Sequence, residues 1–160
     1  MKLDEGKAKF IESWGTLGSN WGVNRTMAQI HALLMVACDP MCCDQIMDQL
    51  QISRGNANMN LHALMDWGLI HKVLKPGERK VYYEAEKDVM EMMKQIILNR
   101  KRRELDPMVK VLDEISLVES NCSESEEFCR IVKELREFSH KADTTLENIC
   151  SSNSNWLYQA

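Results

Sequence analysis

The sequence predicts a mainly α-helical protein that carries one small β hairpin. Apolar residues recur at the 3.6-residue spacing of amphipathic helices through most of the 160-residue chain. The spacing changes to two residues over Leu69–Leu74 and Lys80–Ala85, and this change predicts two strands. With 44% hydrophobic and 28% charged residues, the composition is that of a globular protein.

Two helices are predicted in the first quarter of the chain. The first runs from about Asp4 to Ser19, where Phe10 and Trp14 fall on one face. The second begins after Asn24, whose side chain suits the N-cap position, and stops at Asp39-Pro40. Its apolar stripe is wide, which predicts a central place in the core.

A short helix, a tight turn and a capped helix are predicted next. Cys43–Leu50 has apolar residues at helical spacing, and Ser53 can accept a hydrogen bond from an amide of the following turn. The helix that begins at Ser53 ends at Gly68, a residue suited to a left-handed cap. The hairpin turn is Lys75-Pro76-Gly77-Glu78, with proline and glycine where a type II turn favours them.

Three helices are predicted after the hairpin. The first starts near Glu86 and ends in the basic run Arg100–Arg103, and Asp106-Pro107 is expected to cap and restart the next. Ser123 and Glu126 form a capping-box pattern before the last helix. That helix carries a long apolar stripe, which requires a partner. The stripe consists of Phe128, Ile131, Val132, Leu135, Phe138, Ala142, Leu146 and Ile149.

This order of elements predicts a winged helix-turn-helix with a two-stranded β wing, flanked by N- and C-terminal dimerisation helices. We place the N-terminal helix at residues 1–23, the winged helix-turn-helix at 24–87 and the C-terminal helices at 88–160. In such a fold the second helix of the pair enters the major groove of DNA, and the hairpin reaches the neighbouring groove or backbone.

The net charge of −4 argues weakly against a nucleic acid partner until it is divided along the chain. Residues 70–103 contain 10 basic and 5 acidic side chains, residues 1–69 contain 5 and 7, and residues 104–160 contain 5 and 12. The segment that holds the hairpin is therefore +5 within an otherwise acidic protein.

The helix that begins at Ser53, here called the reading helix, is the predicted DNA-reading element. Asparagine can bond adenine in a paired arrangement, arginine can reach guanine or phosphate, and a glycine such as Gly55 allows close backbone approach. The alternative is a solvated polar face, but asparagines are a cost to helix stability that such a face need not carry. Expected contacts are Ser53, Arg54, Asn56, Asn58, Met59 and Asn60, of which Met59 could touch a thymine methyl.

The hairpin is the second predicted DNA contact. Lys75, Arg79 and Lys80 place positive charge at its tip and base, which suits sequence-independent contacts with phosphates. A hairpin kept soluble by exposed lysine is the alternative.

Three stretches of the chain closely resemble the GbsR-like branch of the MarR family of transcription regulators: Trp21 to Leu34, Ile52 to Leu61, and Trp67 to Lys80. The resemblance covers roughly Phe10 to Val89. It implies a bacterial, cytosolic homodimer that binds double-stranded DNA at an operator with two half-sites. It also implies response to a small effector, and a quaternary ammonium would lie against aromatic faces. Trp14, Trp21, Trp67 and Tyr82 offer such faces, although core or dimer-interface packing is the stronger explanation for each tryptophan.

The chain departs from the family pattern in two places. The short helix begins at Met41-Cys42-Cys43 where the family has serine or threonine, so a weaker cap is expected. Beyond about Val89 the match is in helical character alone, and no effector residue can be carried over.

Two other functions fit the same order of elements. One is a winged-helix module that binds protein and never DNA, and the other is a regulator switched by the thiols of Cys42 and Cys43. The six cysteines have no disulfide-framework spacing and fit reduced thiols in a cytosol. No metal site, cofactor motif or nucleophile motif is recognisable, so we expect no enzyme. The longest apolar run, Ala32–Cys38, is too short for a membrane span.

Overall fold

A computed structural model of the chain describes residues 1–119 and 122–151. The chain divides into two compact units, Met1–Met92 and the segment from Met93 onward. The helices of the first unit are α1 (Leu3–Asn20), α2 (Arg25–Val36), α3 (Cys43–Leu50) and α4 (Arg54–Asp66). Its strands are β1 (Met41–Cys42), β2 (Ile70–Leu74) and β3 (Val81–Ala85). α5 (Val89–Arg100) begins in this unit, and a π-helical turn (Lys101–Leu105), α6 (Asp106–Ile115) and α7 (Ser123–Ser151) follow.

The described residues are mainly helical with one small antiparallel sheet, as predicted, but the sheet has three strands and not two. Its order is β1-β3-β2. The additional strand pairs Met41 with Tyr83 and Cys42 with Tyr82. Two residues are too few to show the alternating pattern of a strand, so β1 is recognised only by its pairing with β3.

Helix starts in the first unit follow the predicted caps. The Asn24 side chain accepts a hydrogen bond from the Met27 amide at 3.1 Å, and Ser53 Oγ accepts one from the Asn56 amide at 3.2 Å. The weak start expected for α3 is strengthened by Gln45, whose Oε1 accepts the Cys42 amide at 2.9 Å. This contact is half of a capping box, in which a side chain at the third helical residue satisfies the N-cap amide.

Small residues allow α1 to pack closely on α2. A Cβ added at Gly18 would lie 2.7 Å from the Ala28 Cβ, and one added at Gly15 would lie 2.6 Å from Gln29 Cγ. Both distances are shorter than van der Waals contact. The glycines near the end of α1 therefore serve the helix crossing, although they weaken the isolated helix.

The core of the first unit forms around α2, as its wide apolar stripe predicted. Ile30, Leu34, Ile46, Leu61 and Leu64 are each at most 1% exposed. Lys87, just after β3, donates from Nζ to the carbonyls of Leu34, Met35 and Ala37 at 2.8, 3.0 and 2.8 Å. Its charge thereby satisfies carbonyls at the C-terminus of α2 and ties the sheet to that helix.

The connection between α5 and α6 corrects the predicted restart at Asp106-Pro107. The backbone stays helical through this segment, and Asp106 makes no capping bond with its side chain. The Asp106 amide donates instead to Lys101 O, five residues earlier, which is the bond of a π turn. Because proline lacks an amide hydrogen and its ring crowds the preceding turn, one extra residue in the turn lets the helix continue through Pro107.

Ion pairs join α6 and α7 in the second unit. Asp113 lies 2.5 Å from Arg136 Nε and 3.1 Å from His140 Nε2. The hydrogen bond from Arg136, followed by that from His140, lowers the pKa of Asp113. Lys101 Nζ lies 2.9 Å from Asp106 and 2.8 Å from Asp143, which joins the π turn to α7.

The start of α7 differs from the predicted capping box of Ser123 and Glu126. The Cys122 amide donates to Ser125 Oγ at 2.9 Å, and the Ser125 hydroxyl donates back to Cys122 O at 2.8 Å. Both bonds join the Ser125 hydroxyl to the Cys122 backbone, one residue before the predicted pair. Ser125, three residues after Cys122, thus takes the position that Glu126 has relative to Ser123 in the predicted box.

The apolar stripe of α7 divides into a buried and an exposed part. Val132 is 4% exposed, whereas Phe128, Ile131, Leu135 and Phe138 are 43%, 41%, 50% and 71% exposed. We call these four residues the exposed row of α7. Within the described residues, no helix combines the length and the apolar character that crossing a bilayer requires.

Candidate nucleic-acid interface

The turn between α3 and α4 sets the direction of the reading helix. Gln51 adopts the left-handed conformation, with φ of 52° and ψ of 47°. The Ile52 amide donates to Met47 O at 3.2 Å, and Gln51 Nε2 donates to Asp48 O at 2.6 Å. These bonds satisfy carbonyls at the end of α3 and hold a conformation that non-glycine residues seldom adopt. Local propensity at Gln51 does not predict it.

The two faces of α4 differ in exposure. Ala57, Leu61 and Leu64 are at most 1% exposed and face the core. Arg54, Asn58 and Met59 are exposed, and Met59 retains 59% of its surface. Exposed side chains of these types are able to meet base edges without any change in the fold.

Asn60 does not lie on the outward face, which corrects its expected role in base contact. It is 2% exposed, and its Nδ2 donates to Asn56 O at 2.9 Å and to Asn56 Oδ1 at 2.7 Å. A base cannot reach an amide so enclosed. The signal was present in the sequence, because Asn60 stands three residues after Ala57 and four before Leu64, which are core positions.

Asn56 is consequently constrained by its neighbour. It is half-buried, and its side-chain carbonyl accepts the hydrogen bond from Asn60. This bond fixes the side-chain orientation of Asn56. Ser53 is exposed at the start of the same helix, but its hydroxyl already accepts the Asn56 amide.

A carboxylate on α3 pairs with two of the predicted DNA-binding cations. Asp44 Oδ1 lies 2.5 Å from an Arg54 guanidinium nitrogen, and Asp44 Oδ2 lies 3.4 Å from Lys80 Nζ. Hydrogen bonds from Arg54 and then Lys80 lower the pKa of Asp44, and the Asp44 bond raises that of Arg54. Sequence reasoning missed Asp44 because its partners are distant along the chain.

The thiols at the start of α3 lie next to the reading helix. Cys43 Sγ is 3.4 Å from Asn58 Oδ1, while Cys42 is 5% exposed. Burial raises the pKa of the Cys43 thiol, and this effect outweighs the opposing influence of Arg54. A raised pKa leaves less thiolate at neutral pH, which argues against a reactive sensor at this position.

The tip of the hairpin has the features of the predicted type II turn. Gly77 has a φ of +82°, and the Glu78 amide donates to Lys75 O at 3.1 Å. Lys75 Nζ lies 4.1 Å from the centroid of the Tyr82 ring. The Tyr82 hydroxyl donates to Glu78, and this bond raises the pKa of Tyr82 to about 12. Lys75 is thus held over the hairpin, whereas Arg79 and Lys80 are exposed.

The basic segment between residues 70 and 103 is divided between the two compact units. Its hairpin part belongs to the first unit, and Arg100–Arg103 belongs to the second. Lys101 in that run is only 13% exposed and pairs with carboxylates of its own unit. The hairpin is the part of this basic segment that lies in the same unit as the reading helix.

The aromatic side chains considered for an effector have local partners. The Trp14 ring centroid lies 5.6 Å from that of Phe10 and 6.3 Å from that of His31, and Trp67 is 8% exposed. The Tyr82 ring is covered by the Lys75 ammonium group. Packing thus accounts for three of the four candidates, and Trp21 is half-exposed.

His31 is the most deeply enclosed histidine beside these rings. It is 2% exposed, and its Nε2 has no hydrogen-bond partner among the described residues. Burial lowers the pKa of His31 to about 4. The ring is therefore neutral near pH 7. In the described part of the chain, no three metal-binding side chains are grouped so that they could hold an ion.

Comparison with known proteins adds evidence on the fold. No protein-family model matches the chain, and no curated protein matches it. A solved structure described as the crystal structure of a transcriptional regulator shares the fold with a TM-score of 0.69 and 15% identity. The alignment covers 91% of this chain and 95% of that one. At this identity the likeness establishes the fold alone.

Proposed function

We propose that this protein is a sequence-specific DNA-binding transcription regulator of the cytosol, acting as a homodimer on a pseudo-palindromic operator. The observation that carries the proposal is the exposure of Arg54, Asn58 and Met59 on a helix that follows a tight turn and precedes a basic hairpin. A fold shared with a solved transcriptional regulator supports it. We assign the chain to the GbsR-like branch of the MarR family.

The reading helix supplies the base contacts in this proposal. Arg54 reaches guanine or a phosphate, the Asn58 amide pairs with adenine, and Met59 packs against a thymine methyl. Asn56 contributes through its half-buried amide, which Asn60 orients. Ser53 lies at the start of the helix, where the chain approaches the sugar-phosphate backbone of the duplex.

The hairpin supplies affinity that does not depend on sequence. Arg79 and Lys80 are exposed at its tip and base and reach phosphates. Lys75 joins them, held in place by the Tyr82 ring.

The exposed row of α7 forms the centre of the dimer interface, together with exposed apolar residues of α6. Met108 and Val111 on α6 are 54% and 48% exposed. Apolar surfaces of this kind on two adjoining helices are typical of interfaces between subunits. The N-terminal helix, residues 1–23, adds to the dimer, and residues 88–160 transmit the response to a small effector.

The test is selection of bound sequences from random duplexes by the purified protein, repeated with Asn58→Ala. We expect one enriched motif with two half-sites about one turn of duplex apart, and loss of preference at one base per half-site in the variant. Asn148→Ala removes the same side chain from an exposed position on α7 and should leave the motif unchanged.

Flat enrichment would contradict a sequence-specific regulator. If binding to duplex DNA were also weak and insensitive to salt, the protein would instead be a winged-helix module for protein partners, because phosphate contacts release counterions.

A further inference from the structure

Asp44 connects three elements of the candidate interface. It lies in the first turn of α3, and its two carboxylate oxygens pair with Arg54 at the first residue of α4 and with Lys80 beside β3. Both partners are residues that the proposed function assigns to DNA. One anion thus faces two cations at the surface where a polyanion would bind.

These ion pairs remain open to solvent. The exposed fractions of the side chains are 48% for Asp44 and 61% each for Arg54 and Lys80. The ion pairs of Lys101 in the second unit are less open to solvent, since the Lys101 side chain is only 13% exposed. Exposed pairs contribute little to folding and exchange readily with other ions. The pairs of Asp44 are therefore able to give way to a phosphate, at a cost in repulsion from the carboxylate.

We propose that Asp44 is a specificity-determining residue of the DNA interface, which rests on the proposed function. It occupies Arg54 and Lys80 when the duplex offers no matching base, and it orients the Arg54 guanidinium when a matching base is present.

Two physical effects produce this discrimination. On a non-specific duplex, binding depends on cations that displace counterions from phosphates, and a cation held by a carboxylate displaces fewer. On the operator, Arg54 keeps further N–H donors after one nitrogen has bonded Asp44, and a guanidinium fixed at one side loses less rotational freedom on meeting guanine. Asp44 thus weakens binding to any phosphate backbone more than binding to the correct bases.

The test is Asp44→Asn, assayed on the selected operator and on a scrambled duplex over a series of salt concentrations. Two freed cations should steepen the slope of log affinity against log salt on the scrambled duplex by about 1 to 2. At low salt the affinity of the variant for the scrambled duplex should rise about tenfold. The ratio of its affinity for the operator to that for the scrambled duplex should fall by a similar factor.

Two variants control this experiment. Asp48→Asn removes the same charge one turn later on α3, at an exposed side chain that forms no ion pair within the described residues, and should change neither slope nor preference. Asp44→Glu keeps the charge and should restore most of the preference. If Asp44→Asn unfolds by circular dichroism, Asp44→Ser gives the same readout, because serine suits a helix start.

The outcomes separate this inference from the proposed function. Equal behaviour of Asp44→Asn and Asp48→Asn, or an equal loss of affinity on both duplexes with an unchanged slope, overturns the role of Asp44 and leaves the regulator intact. A wild-type protein without salt-dependent DNA binding overturns both.

Discussion

The two units of this chain bury their apolar side chains to different extents. In the first unit, α2 is enclosed by α1, α3, α4 and the sheet, and side chains such as Ile30 and Ile46 are completely buried. Among the described residues of the second unit, only Leu112 and Val132 are buried apolar side chains. The first unit thus has a core of its own, whereas the second keeps apolar surface available for assembly.

Their ion pairs differ in the same sense. Lys101 is largely enclosed among carboxylates that hold the second unit together. Asp44 and its partners in the first unit lie at the surface. Enclosed pairs maintain a structure, and exposed ones are free to exchange with a ligand. We therefore expect assembly to depend on the second unit and ligand recognition on the first.

The largest expected effect is on assembly. Leu135→Glu places a charge in the middle of the exposed row of α7, which should convert the proposed dimer to a monomer because an apolar interface would leave the charge buried without a counter-ion. Loss of simultaneous binding to two half-sites should lower operator affinity at least ~100-fold. Light scattering after size exclusion and a binding titration measure these changes.

The control for that prediction is Lys133→Gln, which changes the net charge equally at an exposed polar position of the same helix. It should stay dimeric. A dimeric Leu135→Glu protein would show that the exposed row of α7 is not the interface.

The next largest effect is on the pH dependence of stability, and it tests whether water is excluded from the site of His31. His31 binds a proton at about pH 4 in the folded chain and at its ordinary value of 6.5 when unfolded. The free energy of unfolding therefore keeps the full contribution of the neutral His31 above pH 6.5. It loses that contribution as the pH falls toward 4, because the unfolded chain takes up the proton first. The loss should reach about 2–3 kcal/mol.

His31→Gln should remove this part of the pH dependence, since glutamine does not titrate. Urea denaturation of both proteins between pH 7 and pH 4 measures the difference. Parallel pH profiles would mean that the His31 site is hydrated in solution.

A smaller effect is expected at the crossing of α1 and α2. Gly18→Ala should destabilise the protein by about 1–3 kcal/mol, although alanine favours helix, because its Cβ would lie 2.7 Å from that of Ala28. Gly6→Ala, on the same helix with its nearest neighbour at 3.8 Å, should instead stabilise by up to about 1 kcal/mol. Thermal unfolding distinguishes the two, and a stabilised Gly18→Ala would argue against close packing.

The smallest effect is expected at Gly55, where one substitution should change stability and DNA affinity in opposite directions. A Cβ added at Gly55 meets no atom within 4 Å, so Gly55→Ala should stabilise the free protein by about 0.5–1 kcal/mol. The same methyl group should lower operator affinity several-fold if the backbone approaches DNA here. Unfolding and binding measured together, with Gly6→Ala as reference, test this, and unchanged affinity would exclude a close approach at Gly55.

Much of the fold was predictable because its signals are local. Asn24 and Ser53 begin their helices by bonding amides three residues away, and Gly77 supplies the positive φ of its turn. The outward position of Asn58 follows from helical spacing alone. The burial of Asn60 follows from the same spacing, because Asn60 is in register with the core residues Ala57 and Leu64, although its amide side chain is of a type that suits base contact.

The rest could not be predicted because it depends on partners far apart in the chain. The strand Met41–Cys42 exists only through pairing with β3, and the role of Asp44 depends on Lys80, 36 residues later. The left-handed Gln51 and the π turn at Lys101 escape prediction for a different reason, since bonds within five residues hold conformations that local preference does not favour.

The sequence by itself determined the order of the helices and of the two hairpin strands, and the starts of α2 and α4, since these follow from hydrogen bonds and spacing within a few residues. Only the tertiary structure decided which cations of the candidate interface are already paired, and that the Asn60 side chain bonds Asn56. The reason is physical: ion pairing and side-chain hydrogen bonding depend on groups that folding alone brings together.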